Sequence, residues 1–304
     1  MTKPRFLHAV EHGLRQAHRY PGTVLALYLF QLFASLISLY PFWFLFNRHA
    51  ERSLIDALPG GLMNGHHLIE IGAAEAGGFQ LAMVWLIGCG ALALVGNLYL
   101  AGGVAVVVAR GRGDQPALFR RAGFAFLPRF AILALWMLPF AALIPIAMIT
   151  LESILTLIYG ANPDDQLGGL ALQLRLAVLV LAGFALKQLF ALARLHMVRN
   201  PHRSSLASLA AALVFCFAKF RAVLGFLLIF GTAYALLGFS LFELRPFLPH
   251  DGWLLVVLHQ LWILLKKGLD VTLTHAEWHL IDAYTDRPAM VGGGMPPVRR
   301  LPGL

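Results

Sequence analysis

A chain of 304 residues that is 59% hydrophobic and 13% charged, with a mean hydropathy of +0.73, cannot clothe a soluble fold. Soluble domains carry charge on about 25% of their residues. The surplus apolar surface has to face lipid, and the net charge of +9, which would otherwise suit nucleic acid, follows the pattern of a membrane topology.

Residues 4–20 place Phe6, Val10, Leu14 and Ala17 on one helical stripe, with Arg5, Glu11, Arg15 and Arg19 largely opposite. This predicts an amphipathic helix lying in the membrane interface. The run 23–46 that follows is too long for a signal-peptide core and has no small-residue cleavage site, so it is expected to stay as an anchor. Runs 79–109, 130–151 and 222–242 are also free of charge and each is long enough to span. Two further runs carry charges. Residues 170–193 hold Arg175 and Lys187, and residues 253–274 hold Lys266, Lys267 and Asp270. In the last, about twelve aliphatic residues contribute roughly −0.3 to −0.6 kcal/mol each, and a central charge costs roughly 2.5–3.5. The segment spans only if its charges lie near one face of the bilayer. Residues 116–127 and 202–220 give two more amphipathic stretches, the second with Leu206, Leu209, Leu213, Phe217 and Phe220 on its apolar stripe.

The connections alternate in sign. Lys3, Arg5, Arg15 and Arg19 precede the first span, while Glu51, Asp56, Glu70 and Glu75 outweigh Arg48 and Arg52 after it. Arg110, Arg112, Arg120, Arg121 and Arg129 follow the second span, and Asp164 and Asp165 the third. Arg194, Arg199, Arg203, Lys219 and Arg221 follow the fourth. Cationic connections stay in the cytoplasm, which places both termini there if there are six crossings. Cys89 and Cys216 have neither disulfide nor metal-site spacing.

Each amphipathic stretch ends in a cation and an aromatic ring before an outgoing span: Arg19-Tyr20, Arg129-Phe130 and Lys219-Phe220. Such a pair suits an interfacial anchor, with the ring at headgroup depth. Five residues before the cation stand Leu14, Phe124 and Val214. Asp114-Gln-Pro-Ala recurs as Asp286-Arg-Pro-Ala, an acid and proline that signal a helix start. Three repeat units are expected, at about 1–109, 110–193 and 194–287, forming a single domain over 1–287 with a disordered cytoplasmic tail at 288–304. With these entries and the exit from Gly102-Gly103 through Arg110-Gly111, the organisation resembles the bacterial six-helix membrane domains found fused to some glycerophosphodiester phosphodiesterases, and their stand-alone relatives. The resemblance implies the fold. The soluble hydrolase barrel of those fusions has no counterpart here, so their activity does not carry over.

Among candidate chemistries, His275 and His279 stand one helical turn apart with Asp282 and Asp286 continuing the face, and His8 and His12 repeat the spacing. That set could share a metal. The order of residues is not that of a zinc protease, and the His66-His67 pair falls on the far side, so interfacial histidines are the plainer reading. Lys187, Lys266 and Lys267 are expected at one level near the cytoplasmic boundary, with Arg194, Asp270 and Asn97 able to join them. A basic pocket between helices there suits an anionic lipid headgroup. Glu152 and Arg175 lie at the opposite face and could pair. Glycines at 88, 96 and 103, and at 225, 231 and 238, suit close helix packing or a homodimer seam.

The reading is an all-α polytopic membrane protein of the bacterial inner membrane: six transmembrane helices as three hairpins, with cytoplasmic interfacial helices. It is expected to be non-enzymatic and to need no cofactor. Its expected role is to bind anionic membrane lipids or scaffold other membrane proteins. A small-solute or lipid transporter and a metal-dependent lipid enzyme are the alternatives.

Overall fold

The computed structural model describes residues 5–50, 76–111, 113–159, 165–244 and 252–284. Every regular element among them is an α-helix: α1 (Arg5–Ala17), α2 (Pro21–Ala50), α3 (Ala76–Arg110), α4 (Pro116–Tyr159), α5 (Asp165–Arg199), α6 (Ser205–Ala218), α7 (Phe220–Leu244) and α8 (Gly252–Tyr284). Five stretches are long and apolar enough to cross a membrane: Pro21–Leu45, Ala76–Arg110, Pro116–Leu157, Ala177–Arg199 and Phe220–Ser240. A helix satisfies its backbone polar groups within itself, the condition for a single segment to enter hydrocarbon. The His66-His67 pair, Asp164, Asp286 and the tail lie outside the described residues.

The buried core gathers at one end of the bundle. It is built from the second half of α3, the first half of α4, the second half of α5, the start of α7 and the last turns of α8, with α1 and α6 packed against them. Away from that end the helices turn large apolar side chains outward: Leu81, Ile87 and Leu92 of α3, Ile149 and Leu157 of α4, Val180 and Leu181 of α5. Apolar exposure on that scale marks a surface made for lipid.

Small residues set the closest helix crossing. A methyl added at Gly102 of α3 would come within 3.2 Å of the Ala122 carbonyl oxygen and 3.3 Å of the Gly123 Cα of α4, and one at Gly123 would meet the Tyr99 ring. The same logic seats α1 on α8, where a methyl at Gly13 would come within 2.8 Å of the Ala276 Cβ. By contrast, Gly88, Gly90 and Gly238 face open space.

Three local expectations change. The stretch 116–127 is not a separate interfacial helix. It is the first third of α4, which runs on through Pro128, Pro139 and Pro145 for 44 residues. Its start is not capped by Asp114, whose carboxylate accepts from the Gly22 N–H (2.6 Å), the Thr23 N–H (2.9 Å) and the Thr23 hydroxyl (2.6 Å) at the head of α2. Gly113, at φ +81°, makes the turn that presents it there. Second, α6 buries Leu209 of the expected stripe, but with it Ser205, Ser208, Ala212 and Phe215, which lie off the stripe. Its small serine face lets it approach α5, while Val214 and Phe217 point outward. Third, α1 buries Ala9 and Val10 against the bundle but leaves Leu14 59% exposed.

Candidate functional site

Lys187 of α5, Tyr234 of α7 and Asp270 of α8 meet at one point. The Lys187 ammonium donates to Asp270 Oδ1 at 2.7 Å and lies 4.5 Å from the centre of the Tyr234 ring. The Tyr234 hydroxyl donates to the same carboxylate oxygen at 2.5 Å. One turn earlier on α8, Lys267 reaches Gln31 Oε1 of α2 at 3.4 Å and Lys266 lies 5.3 Å from the Trp262 ring of its own helix. Tyr28 donates to Gln260 at 3.1 Å on the same side of α2. Three ammonium groups and one carboxylate thus share a level, and neither Lys266 nor Lys267 has a carboxylate partner among the described residues. The Lys187 side chain is 44% exposed, so the cluster opens sideways.

The charged residues of α5 and α8 form a ladder. Lys187 meets Asp270 at 2.7 Å and Arg199 reaches Asp282 at 3.4 Å, and between them Arg194 and the buried Glu277 stand at the same spacing with no hydrogen bond to each other. Each pair is separated by the same 83 positions, so the two helices run parallel in fixed register. Arg194 stands on the second rung, its guanidinium 4.8 Å from the Phe190 ring, below the lysine cluster. Asn97 does not join either; its amide donates to the Ala93 carbonyl within α3. At the far end of the bundle Arg175 and Glu152 do meet, at 3.5 Å.

The opposite face of the α8 end is aromatic. His279 stacks on His12 of α1 at 3.7 Å, and the buried His275 packs on Tyr20 at 4.5 Å. Burial raises the Tyr20 phenol above its ordinary value. Asp282 is turned to Arg199. Among the described residues no three His, Cys, Asp or Glu side chains gather as a metal set.

The entry pairs are not alike. The rings of Tyr20 and Phe130 are fully buried, Tyr20 against His275 and Phe130 against Phe126, so they are core residues and not headgroup anchors. Only Phe220 is exposed. The head of α2 and the Arg129-Phe130 entry are each braced by a later connection of the chain. Asp114 holds the head of α2, and the Arg129 guanidinium donates to the Arg203 carbonyl while the Ser205 hydroxyl donates to the Arg129 carbonyl at 3.1 Å. At the third entry the Lys219 ammonium lies 5.3 Å from the Tyr284 ring. Tyr234, Gln31 and Glu277 are site residues that sequence reasoning missed. The constant spacing of cation and anion would have found Glu277.

Long apolar helices with outward-facing side chains and ion pairs confined between them define a helical multi-pass membrane protein. No protein-family model matches this chain, and neither does any curated protein or solved structure.

Proposed function

We propose that the protein is a non-enzymatic anionic-lipid-binding protein of the bacterial inner membrane, with six spans in three hairpin units and both termini in the cytoplasm. The parallel α5–α8 ladder supports the sixth span, since α8 can follow α5 in register only by crossing in the same direction. The like bracing of the first two entries, by Asp114 and by Arg203 with Ser205, supports the repeat.

The observation that carries the lipid assignment is the charge imbalance at Lys187, Lys266, Lys267 and Asp270. Three cations against one anion leave two positive charges. Lys267 stands about 22 Å along α8 from its first residue, roughly 8 Å short of the boundary of a 30 Å core, within reach of a snorkelling side chain. Two unmatched ammonium groups would cost roughly 5–7 kcal/mol if held in hydrocarbon. A headgroup phosphate drawn to that level removes the cost of placing two adjacent lysines there. The partner is an anionic glycerophospholipid, bound through its phosphate.

The test is the double variant Lys266→Gln/Lys267→Gln, purified in mild detergent with phosphatidylglycerol or phosphatidylcholine and weighed intact by native mass spectrometry. Wild type is expected to retain phosphatidylglycerol in preference to phosphatidylcholine, and the variant to lose the preference at this site. An undiminished preference in a folded variant refutes the assignment.

A further inference from the structure

The chain turns from α6 into α7 at a single residue. The Lys219 N–H closes α6 on the Phe215 carbonyl, Lys219 takes φ −119° and ψ 33°, and α7 starts at Phe220. A cleft of about 380 Å³ opens at this elbow, lined among others by Lys219, Arg221, Tyr284, Phe217 and Phe220. Lys219 and Arg221 have no carboxylate partner among the described residues. The apolar side chains beside them are outward: Phe217 is 79% exposed, and Val214, Phe220 and Leu224 continue the patch.

We propose that this cleft is a second, interfacial lipid site, in which Lys219 and Arg221 hold the phosphate of an anionic phospholipid and the patch from Val214 to Leu224 lies along its acyl chains. The assignment rests on the membrane orientation proposed above but on none of the lysines of the α5–α8 site.

Three observations favour it. First, the two charge types complement a phosphate: a guanidinium offers paired donors in a plane, and an ammonium adds a compact charge. Second, α6 is apolar, is 14 residues long and is too short to span. A helix of that kind, with its small face on α5 and its large side chains outward, lies in one leaflet, which puts the elbow at headgroup depth. Third, the first entry of this same chain already seats an anion at the corresponding place. Just past Arg19-Tyr20, the Asp114 carboxylate takes two backbone N–H groups and a hydroxyl. Past Lys219-Phe220 the described residues supply two cations and no carboxylate around the cleft. An apolar partner protein would cover Phe217 and Phe220 but would leave both charges unmet, so a lipid with an anionic head fits better.

Binding of short-chain phosphatidylglycerol to the full-length protein in detergent tests the site, in wild type, Lys219→Gln/Arg221→Gln and Lys266→Gln/Lys267→Gln. Removing both elbow cations is expected to weaken one class of sites roughly thirtyfold, a class that the Lys266/Lys267 variant retains. Lys219→Arg/Arg221→Lys is expected to keep it. Unchanged binding in the elbow variant overturns the proposal, as does equal weakening for phosphatidylcholine. Soluble glycerol phosphate competing as well as the lipid would also overturn it, since the acyl patch would then have no part. If the elbow variant does not fold, Phe217→Trp reads the same site. The added indole is expected to be quenched more by phosphatidylglycerol brominated in its acyl chains than by brominated phosphatidylcholine, and equal quenching rejects the assignment.

Discussion

Replacing Asp114 by alanine removes three hydrogen bonds from the head of α2 in one step. The carboxylate accepts from the Gly22 N–H, the Thr23 N–H and the Thr23 hydroxyl at 2.6–2.9 Å. Gly22 is exposed and water can replace its bond, so little is lost there. Thr23 is buried, and its N–H and hydroxyl would stay unsatisfied at about 1–2 kcal/mol each. The total cost is about 2–4 kcal/mol, in line with the loss of a strong helix cap in a part-buried setting. At about 2 °C per kcal/mol for a chain of this size, Tm should fall by roughly 4–8 °C. Asp114→Asn keeps one acceptor oxygen and should lose about half as much. The assay is thermal unfolding in detergent, followed by the amount of monodisperse protein left after heating. A fall of less than about 1 °C for the alanine variant would refute the claim that this carboxylate ties the connection before α4 to the head of α2.

Other outcomes follow from the same contacts. Asp270→Asn removes the only anion among the four charged side chains at the lysine level and should raise phosphatidylglycerol retention in native mass spectra, whereas Lys187→Met should lower it; opposite signs would sink the charge-balance argument. Gly102→Val should destabilise by about 1–3 kcal/mol through overpacking against the α4 backbone, while Gly88→Ala should be neutral in the same thermal assay, because nothing lies within 4 Å of its would-be methyl. Burial pushes the Cys216 thiol up to about 11, so only a small fraction is thiolate at neutral pH. In the folded protein it should react with N-ethylmaleimide far more slowly than a free thiol, and faster as pH rises toward 11; rapid labelling at pH 7 would contradict its burial.

Five of the six expected spans were legible because hydrocarbon demands long apolar helices, and such stretches leave little choice of element. The pairing of Arg175 with Glu152 was legible too, since a short connection brings the ends of α4 and α5 together. Val10 and Leu209 of the amphipathic stripes are buried as read, and the rest of the stripes departs for a physical reason. In water the apolar face of a helix turns inward, but beside lipid it has no need to. So α6 turns its serines to α5 and Phe217 outward, and α1 leaves Leu14 exposed. Tyr20 and Phe130 share a motif with Phe220 yet are core residues, because His275 of α8 covers Tyr20 and Phe130 lies in the core that several helices build together. Local patterning carries no record of such distant neighbours. The ladder was readable in principle from its constant spacing of 83 positions, but only once α5 and α8 are known to run side by side.

The most direct measurement is a structure of the protein in nanodiscs containing phosphatidylglycerol. Density for a headgroup phosphate within hydrogen-bonding distance of Lys266 or Lys267, beside the intact Lys187–Asp270 pair, is the expected result. Both ammonium groups met by protein carboxylates, or surrounded by acyl chains with the headgroups elsewhere, would contradict the account.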